Sequence, residues 1–168
     1  MEAPRIIVLM GPAGAGKTTI GIALAKSLGW HFLDADDFHS PENVEKMRQG
    51  QALSDAERVP WLTAIRAALV EAVANGYRVV LACSALKEQY RQALIPEGTP
   101  KGTVRFVYLR APPSVLRERL AHRTGHYAGP ELLASQLETL EEPRDVLWVD
   151  ASRDPEQIVA QIRRDLAL

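Results

Sequence analysis

A three-layer α/β fold, a parallel five-stranded sheet with helices on both faces, is predicted by three observations. Apolar runs of strand length recur along the chain, at Ile6–Met10, Tyr77–Cys83, Val104–Leu109 and Val146–Val149. The run at Tyr77–Cys83 is almost wholly apolar, as a strand covered on both faces must be. Between the runs lie stretches whose apolar residues repeat at helical spacing, so strands and helices alternate and the sheet is parallel. The first run passes directly into Gly11-Pro12-Ala13-Gly14-Ala15-Gly16-Lys17-Thr18, a glycine-rich loop whose pattern requires a strand before it and a helix after it.

The elements follow in order. Ile6–Met10 is a buried strand, and Lys17–Leu28 a helix with Ile20, Ala23, Leu24 and Leu28 along one side and Gly29 at its end. Trp30–Leu33 reads as the second strand, running into Asp34-Ala35-Asp36-Asp37. Pro41–Gln49 is a short polar helix with proline in its first turn and Gly50 past its end. Ser54 or Asp55 caps the next helix, which carries Leu62, Ile65, Leu69 and Val73 and stops at Asn75-Gly76. After the third strand, Tyr77–Cys83, a helix is predicted over Ala85–Leu94 and a loop over Pro96–Gly102. Val104–Leu109 is the fourth strand, and Pro112-Pro113 opens a helix reaching about Leu120. Arg123–Pro130 is polar and contains glycine; Glu131–Leu140 reads as helix, Val146–Val149 as the fifth strand, and Pro155–Leu166 as a final helix with Ile158, Ile162 and Leu166 on one stripe.

Bulk properties bound the function. The 168 residues fit one domain spanning 1–168, and 46% hydrophobic content supports a core without disulfides or a metal staple. A net charge of −1 provides no general attraction to nucleic acid or an anionic membrane, so neither is an expected partner. Met1–Arg5 does not read as a signal peptide, and no segment is long and apolar enough to span a bilayer; the cytoplasm is the expected compartment. The single cysteine, Cys83, reads as a small buried hydrophobe. Among the four histidines, His31, His39, His122 and His126, no pairing has zinc-ligand spacing with a third ligand nearby. Trp61 and Trp148 read as packing residues.

The chemistry gathers after the strands, where open parallel sheets bind ligands. In the first loop, Gly11, Ala13, Gly14, Ala15 and Gly16 turn backbone N–H groups toward a phosphate, and the following helix start, Lys17 to Thr19, adds its positive end. Lys17 reaches the outer phosphates of a nucleotide and the Thr18 hydroxyl suits Mg²⁺, so ATP and Mg²⁺ are the expected cofactors. Asp34 and Asp36, two apart in an extended segment, face one side. One helps hold the metal, and the other accepts or orients the proton of an attacking hydroxyl. Asp37 reads as a solvated turn or cap. Lys87 and Arg91, four apart on the predicted helix, share a face that either grips an anionic substrate or is solvated beside Glu88. Arg119 and Arg123 precede a polar stretch with Gly125 and Gly129, a pattern suited to a lid, at about residues 122–136, whose arginines close over phosphates. Arg117 reads as solvent-facing.

Several stretches in this order resemble the gluconate kinase family, small sugar-acid kinases related to shikimate and adenylate kinases. They are Asp34–His39 with Asn43 and Lys46-Met47; Leu53, Asp55 and Arg58 before Pro60-Trp61-Leu62; Cys83-Ser84-Ala85-Leu86-Lys87 with Tyr90-Arg91; Arg123–Tyr127; and Gln136 with Leu140-Glu141-Glu142-Pro143. The resemblance implies a P-loop kinase fold with a lid, ATP-dependent phosphorylation of D-gluconate at its 6-hydroxyl, and often a homodimer. By position it implies Lys17 and Thr18 on phosphate and Mg²⁺, and Asp36 near the attacking hydroxyl. It further implies His39, Arg58, Lys87, Arg91 and His126 in the sugar-acid pocket, and Arg119 and Arg123 over ATP. The chain departs from the family pattern at Pro12, Ala13, Ala15 and Thr18 in the loop, at Phe38 and Ser40, and in a short Pro143–Val146 segment. A kinase for another hydroxy acid, such as a shikimate-type enzyme, and a non-catalytic nucleotide-binding module remain the alternatives.

Overall fold

The computed structural model describes residues 3–123 and 130–168. In chain order the elements are β1 (Ile6–Met10), α1 (Lys17–Leu28), β2 (His31–Asp34), a 3₁₀ turn (Ala35–Phe38), α2 (Pro41–Arg48), α3 (Asp55–Ala74), β3 (Val79–Ala82), α4 (Glu88–Leu94), β4 (Val104–Arg110), α5 (Pro113–Ala121), α6 (Pro130–Thr139), β5 (Leu147–Asp150) and α7 (Pro155–Asp165). The five strands pair in the order β2-β3-β1-β4-β5, all parallel, as the alternating pattern predicts.

β1 lies in the middle of the sheet and is wholly buried. Its alternation sorts the core into two layers. Ile7 and Leu9 face one side with Val80, Val107 and Leu109, covered by Leu24 of α1, Leu116 of α5, Leu133 of α6 and Ile158 and Ile162 of α7. Ile6, Val8 and Met10 face the other side with Val79 and Leu81, covered by Trp61, Ile65 and Leu69 of α3 and Tyr90 and Leu94 of α4. Each such fully buried aliphatic side chain contributes about 1.5–3 kcal/mol. The stripe Ile158, Ile162, Leu166 is buried as its spacing predicts, and Arg117 is exposed.

Local signals set most ends. Ser54 accepts from Glu57 N–H while the Glu57 carboxylate accepts from Ser54 N–H, a capping box that starts α3. Pro60 lies inside α3, where its ring removes one helical hydrogen bond; the affected carbonyl, on Ala56, belongs to an exposed turn that water can satisfy. Gly29 ends α1 in the left-handed region, its N–H bonded back to Ala25 and Lys26 carbonyls.

Several boundaries differ from expectation, β5 among them, at Leu147–Asp150 rather than Val146–Val149. β2 lies one residue later than predicted, with Asp34 inside it opposite Ala82 of β3. β3 is confined to Val79–Ala82 by its pairing with β1. α4 begins at Glu88, not Ala85, because Ala85 has φ 45° and Lys87 is extended. Of the expected lid over 122–136, residues 130–136 belong to α6, whose Leu132 and Leu133 are buried, and 124–129 lie outside the described residues. Trp148 is 45% exposed rather than packed within the sheet; its ring meets Tyr108 edge-on and its indole N–H donates to Pro143 O at 3.0 Å. Among the described residues no helix is long and apolar enough to cross a membrane.

Candidate active site

The loop between β1 and α1 closes over the carboxyl end of the sheet, and glycine is needed there for space as well as for φ. Gly14 has φ +88°, and a Cβ on it would meet Leu116 O at 2.9 Å. At Gly11, φ +147°, a Cβ would stand 2.8 Å from Leu109 O. Gly16, at the N-cap of α1 in the left-handed region, supplies no side chain, so the first-turn amides of α1 keep their capacity for an anion. Thr18 Oγ1 donates to Asp34 Oδ2 at 2.8 Å. Lys17 Nζ donates to Pro12 O at 3.0 Å. Burial lowers the Lys17 pKa, and the positive charge of Arg123 adds to this while Asp36 and Asp34 oppose it.

Two cavities flank the loop. One contains Ala13, Lys17 and Thr18 together with Asp34, Asp36, His39 and Arg58, and extends to Trp61, Ser84, Arg123 and Gln136. The other, on the far side, contains Ala15, Thr19, Arg119 and Arg153. Gly14, Gly16 and Arg123 line both, so the loop is a partition between two adjacent cavities.

Asp34 and Asp36 do reach one cavity, but through a different conformation from the extended one predicted. Asp34 ends β2 and caps the 3₁₀ turn, its Oδ1 accepting from Asp36 N–H at 3.0 Å. That bond turns the chain sharply and leaves the Asp36 side chain exposed in the cavity. The turn is pinned from below by Trp61, whose indole N–H donates to Ala35 O at 2.7 Å. His39 stacks on the same indole with centroids 4.3 Å apart. Burial, with Arg58 nearby, pushes the His39 pKa down to about 4, so the ring is neutral at physiological pH. Trp61 is therefore both a core residue, as read from its pattern, and the floor of the site.

Arg58 Nη1 donates to the Tyr90 hydroxyl at 2.7 Å, and that hydroxyl donates to Asp55. Lys87 Nζ donates to both Asp55 oxygens at 3.1 and 3.2 Å, which raises its pKa, while the bonds from Tyr90 and then Lys87 lower that of Asp55. Lys87 thus stands on Asp55, at the edge of the site beside Arg58 and Tyr90. Lys46 and Glu57, 2.7 Å apart, fasten α2 to the start of α3 on the same side.

The shared helical face expected of Lys87 and Arg91 is corrected. Lys87 is the N-cap residue of α4, and Arg91 is 3% exposed. Its guanidinium donates to Ala85 O at 2.7 Å, Glu141 O at 2.9 Å and Glu88 Oε2 at 3.1 Å. Arg91 is a strut that holds the Ser84–Lys87 loop against the chain leaving α6. Arg119 likewise belongs to the body of the fold: from the last turn of α5 it donates to Gly14 O at 3.1 Å and Ala151 O at 2.6 Å. Arg123, just past α5, faces both cavities. His126 lies outside the described residues. Cys83 is buried behind the loop, its thiol pKa pushed up to about 12 by burial, in keeping with an inert packing role.

Sequence reasoning assigned no role to Gln136, whose Oε1 accepts from Ala13 N–H at 2.7 Å across 123 residues, or to the Asp55–Tyr90 pair. Two signals mark Gln136 in the sequence: its place among the stretches that resemble the gluconate kinase family, and its place on the apolar stripe Leu133, Leu137, Leu140, where a polar residue must find a partner.

Three comparisons bear on this site. The AAA domain family model matches residues 6–147. A gluconokinase of Gluconobacter oxydans (strain 621H) is 43% identical over 164 residues, covering 96% of this chain and 90% of that one. A probable gluconokinase of Mus musculus is 41% identical, covering 99% and 100%. The crystal structure of a gluconokinase from Sinorhizobium meliloti 1021 superposes with a TM-score of 0.82 at 42% identity, covering 99% of this chain and 94% of that one.

Proposed function

The chain belongs to the gluconokinase family of P-loop kinases, and from that premise we propose that it transfers the γ-phosphoryl group of MgATP to the 6-hydroxyl of D-gluconate, giving 6-phosphogluconate and ADP. The observation that carries this reading is one cavity in which a phosphate loop, a Thr18–Asp34 pair and Asp36 stand beside Arg58 and His39. That is a donor half and an acceptor half sharing a wall.

In this reading the amides of Ala13 to Thr19 hold the phosphates and Lys17 balances charge that develops on the transferring group. Thr18 Oγ1 and Asp34 Oδ2 are hard oxygen donors 2.8 Å apart, the type of pair that fits Mg²⁺ directly or through its water. When bound, that ion neutralises phosphate charge and orients the outer phosphates. Asp36, beside Lys17, accepts the proton of the acceptor hydroxyl or orients it in line. Arg123 lines the cavities on both sides of the loop, and Arg119 fixes the loop between them by tying Gly14 to Ala151. The acceptor half has the chemistry of a polyhydroxy carboxylate: Arg58 and Lys87 are cations for the carboxylate, and neutral His39 offers a nitrogen to a hydroxyl. Transfer forms one P–O bond to the acceptor oxygen and breaks the β,γ-bridging P–O bond, with the hydroxyl proton leaving through Asp36.

Residues 1–168 act in this reading as one kinase domain, in the cytoplasm and as a homodimer, the last of which sedimentation velocity tests. The deciding experiment incubates the purified protein with MgATP and a panel of acids, and follows product by mass. Formation of 6-phosphogluconate, faster than any product from shikimate or another hydroxy acid, is the expected result. Faster turnover of shikimate would reassign the substrate, and nucleotide binding without transfer to any acid would make the chain a binding module.

A further inference from the structure

Gln136 is a polar side chain on the buried stripe of α6, with Leu133 three residues before it and Leu137 and Leu140 after it. Its carboxamide crosses the site and its Oε1 accepts from Ala13 N–H at 2.7 Å. Ala13 is not an arbitrary part of the loop. It belongs to the cavity that contains Asp36 and His39, whereas Ala15 and Thr19 belong to the far one. Ala13 therefore lies on the Asp36 side of the loop, the side on which the reading above puts the group to be transferred.

The helix that bears Gln136 is tied to the acceptor half as well. The chain leaving α6 donates from Glu141 N–H to Leu86 O at 2.8 Å, and Arg91 holds Glu141 O and Ala85 O together. α6 and the residues that follow it thus join the phosphate loop at Ala13 to the Ser84–Lys87 loop.

We propose that Gln136 is a positioning residue for the transferred phosphoryl group, exchanging its own hydrogen bond to Ala13 for one to phosphate. This rests on the reading of the loop as the ATP site. A phosphate oxygen only accepts hydrogen bonds, so it competes with Gln136 Oε1 for Ala13 N–H. A primary amide is suited to this exchange because it carries both an acceptor and donors. Rotation about its last torsion replaces Oε1 by Nε2–H₂, and the side chain that capped Ala13 then donates to the oxygen that displaced it. Neither a carboxylate nor an aliphatic chain can do both. Because α6 is braced against the Ser84–Lys87 loop, the exchange also registers the outer phosphate relative to the acceptor.

The test compares wild type with Gln136→Glu and Gln136→Leu, titrating each by calorimetry with MgADP and with a non-hydrolysable MgATP analogue. Gln136→Glu keeps an acceptor for Ala13 N–H but puts an anion against the outer phosphate. It is expected to keep Tm within about 2 °C and MgADP affinity within about threefold, while weakening the analogue by about tenfold or more. Gln136→Leu, which cannot donate to phosphate, is expected to lower kcat by about tenfold with KM for the acid moved less than about threefold. Equal loss of both nucleotides in Gln136→Glu, or loss of neither, overturns the proposal and leaves Gln136 a structural strut. Wild type that binds neither nucleotide overturns the reading of the loop itself, a failure distinguishable from the first.

Discussion

The two halves of the cleft are held by different kinds of bond. The donor half is backbone: glycine-permitted turns, the amides at the start of α1, and carbonyls of Pro12, Gly14 and Ala15 that engage Lys17 and Arg119. The acceptor half is side chains meeting across sequence: Arg58 on Tyr90, Tyr90 and Lys87 on Asp55, Trp61 beneath Ala35 and His39. A backbone cradle recognises any phosphate of the right size, and one substitution at a glycine destroys it. A side-chain network recognises one molecule, and its members can be exchanged singly. On the proposed reading, general chemistry resides in the donor half and specificity in the acceptor half.

The strongest test of that division is the charge at its boundary. Lys17→Ala and Asp36→Asn are each expected to lower kcat by at least about a hundredfold with the fold retained, since charge positioning supplies most of the acceleration in phosphoryl transfer. Near-normal turnover in Asp36→Asn, measured by coupled ADP release, would remove Asp36 from the mechanism.

Next is the contrast between the two cations once expected to act together. Arg91→Met leaves the buried Ala85 O without its donor and removes the bond to Glu141 O. It is expected to destabilise the protein by about 2–4 kcal/mol in urea unfolding, whereas Lys87→Ala, at an exposed ion pair, leaves the urea midpoint nearly unchanged. Kinetically the order inverts. Lys87→Ala is expected to raise KM for the acid by about tenfold and KM for ATP by less than about twofold. The reverse ordering of the two KM effects would put Lys87 on the nucleotide side.

The smallest effect is the pH response of the acceptor floor. The His39 pKa in the folded protein is about 4, below the unfolded value of 6.5, so between these two values the unfolded chain binds more protons. Stability from this group is therefore intact above pH 6.5 and declines as pH falls toward 4. Its ring-proton shifts in NMR spectra should be flat from pH 8 to about 5, and His39→Gln should flatten the decline of Tm across that window. Titration of His39 near its ordinary value would show that the stack on Trp61 is open to water.

How much of this was legible beforehand differs along the chain. The loop from Gly11 to Thr18 and the alternation of strands and helices are local signals, because φ preference, helical spacing and capping act over a few residues. Asp34 and Asp36 were legible as a pair at a strand end, but not as a 3₁₀ turn, since the bond from Asp36 N–H to the Asp34 carboxylate competes with the extended conformation that the spacing suggests. The inward face of Arg91 is not legible from its spacing to Lys87, because the positive φ of Ala85 delays the helix by three residues and leaves Lys87 outside it.

From sequence alone came the fold, the phosphate chemistry and the family: the signals behind them are contiguous, and the physics that reads them is short-ranged. The tertiary structure alone decided which charges are tools and which are struts. Lys87, Arg91 and Arg119 are all cations beside a phosphate site, and their difference lies in partners up to 105 residues away: a solvent-edge carboxylate for Lys87, carbonyls of two separate segments for Arg91, loop carbonyls for Arg119. No local pattern encodes those partners, because they meet only when packing brings separate elements into register.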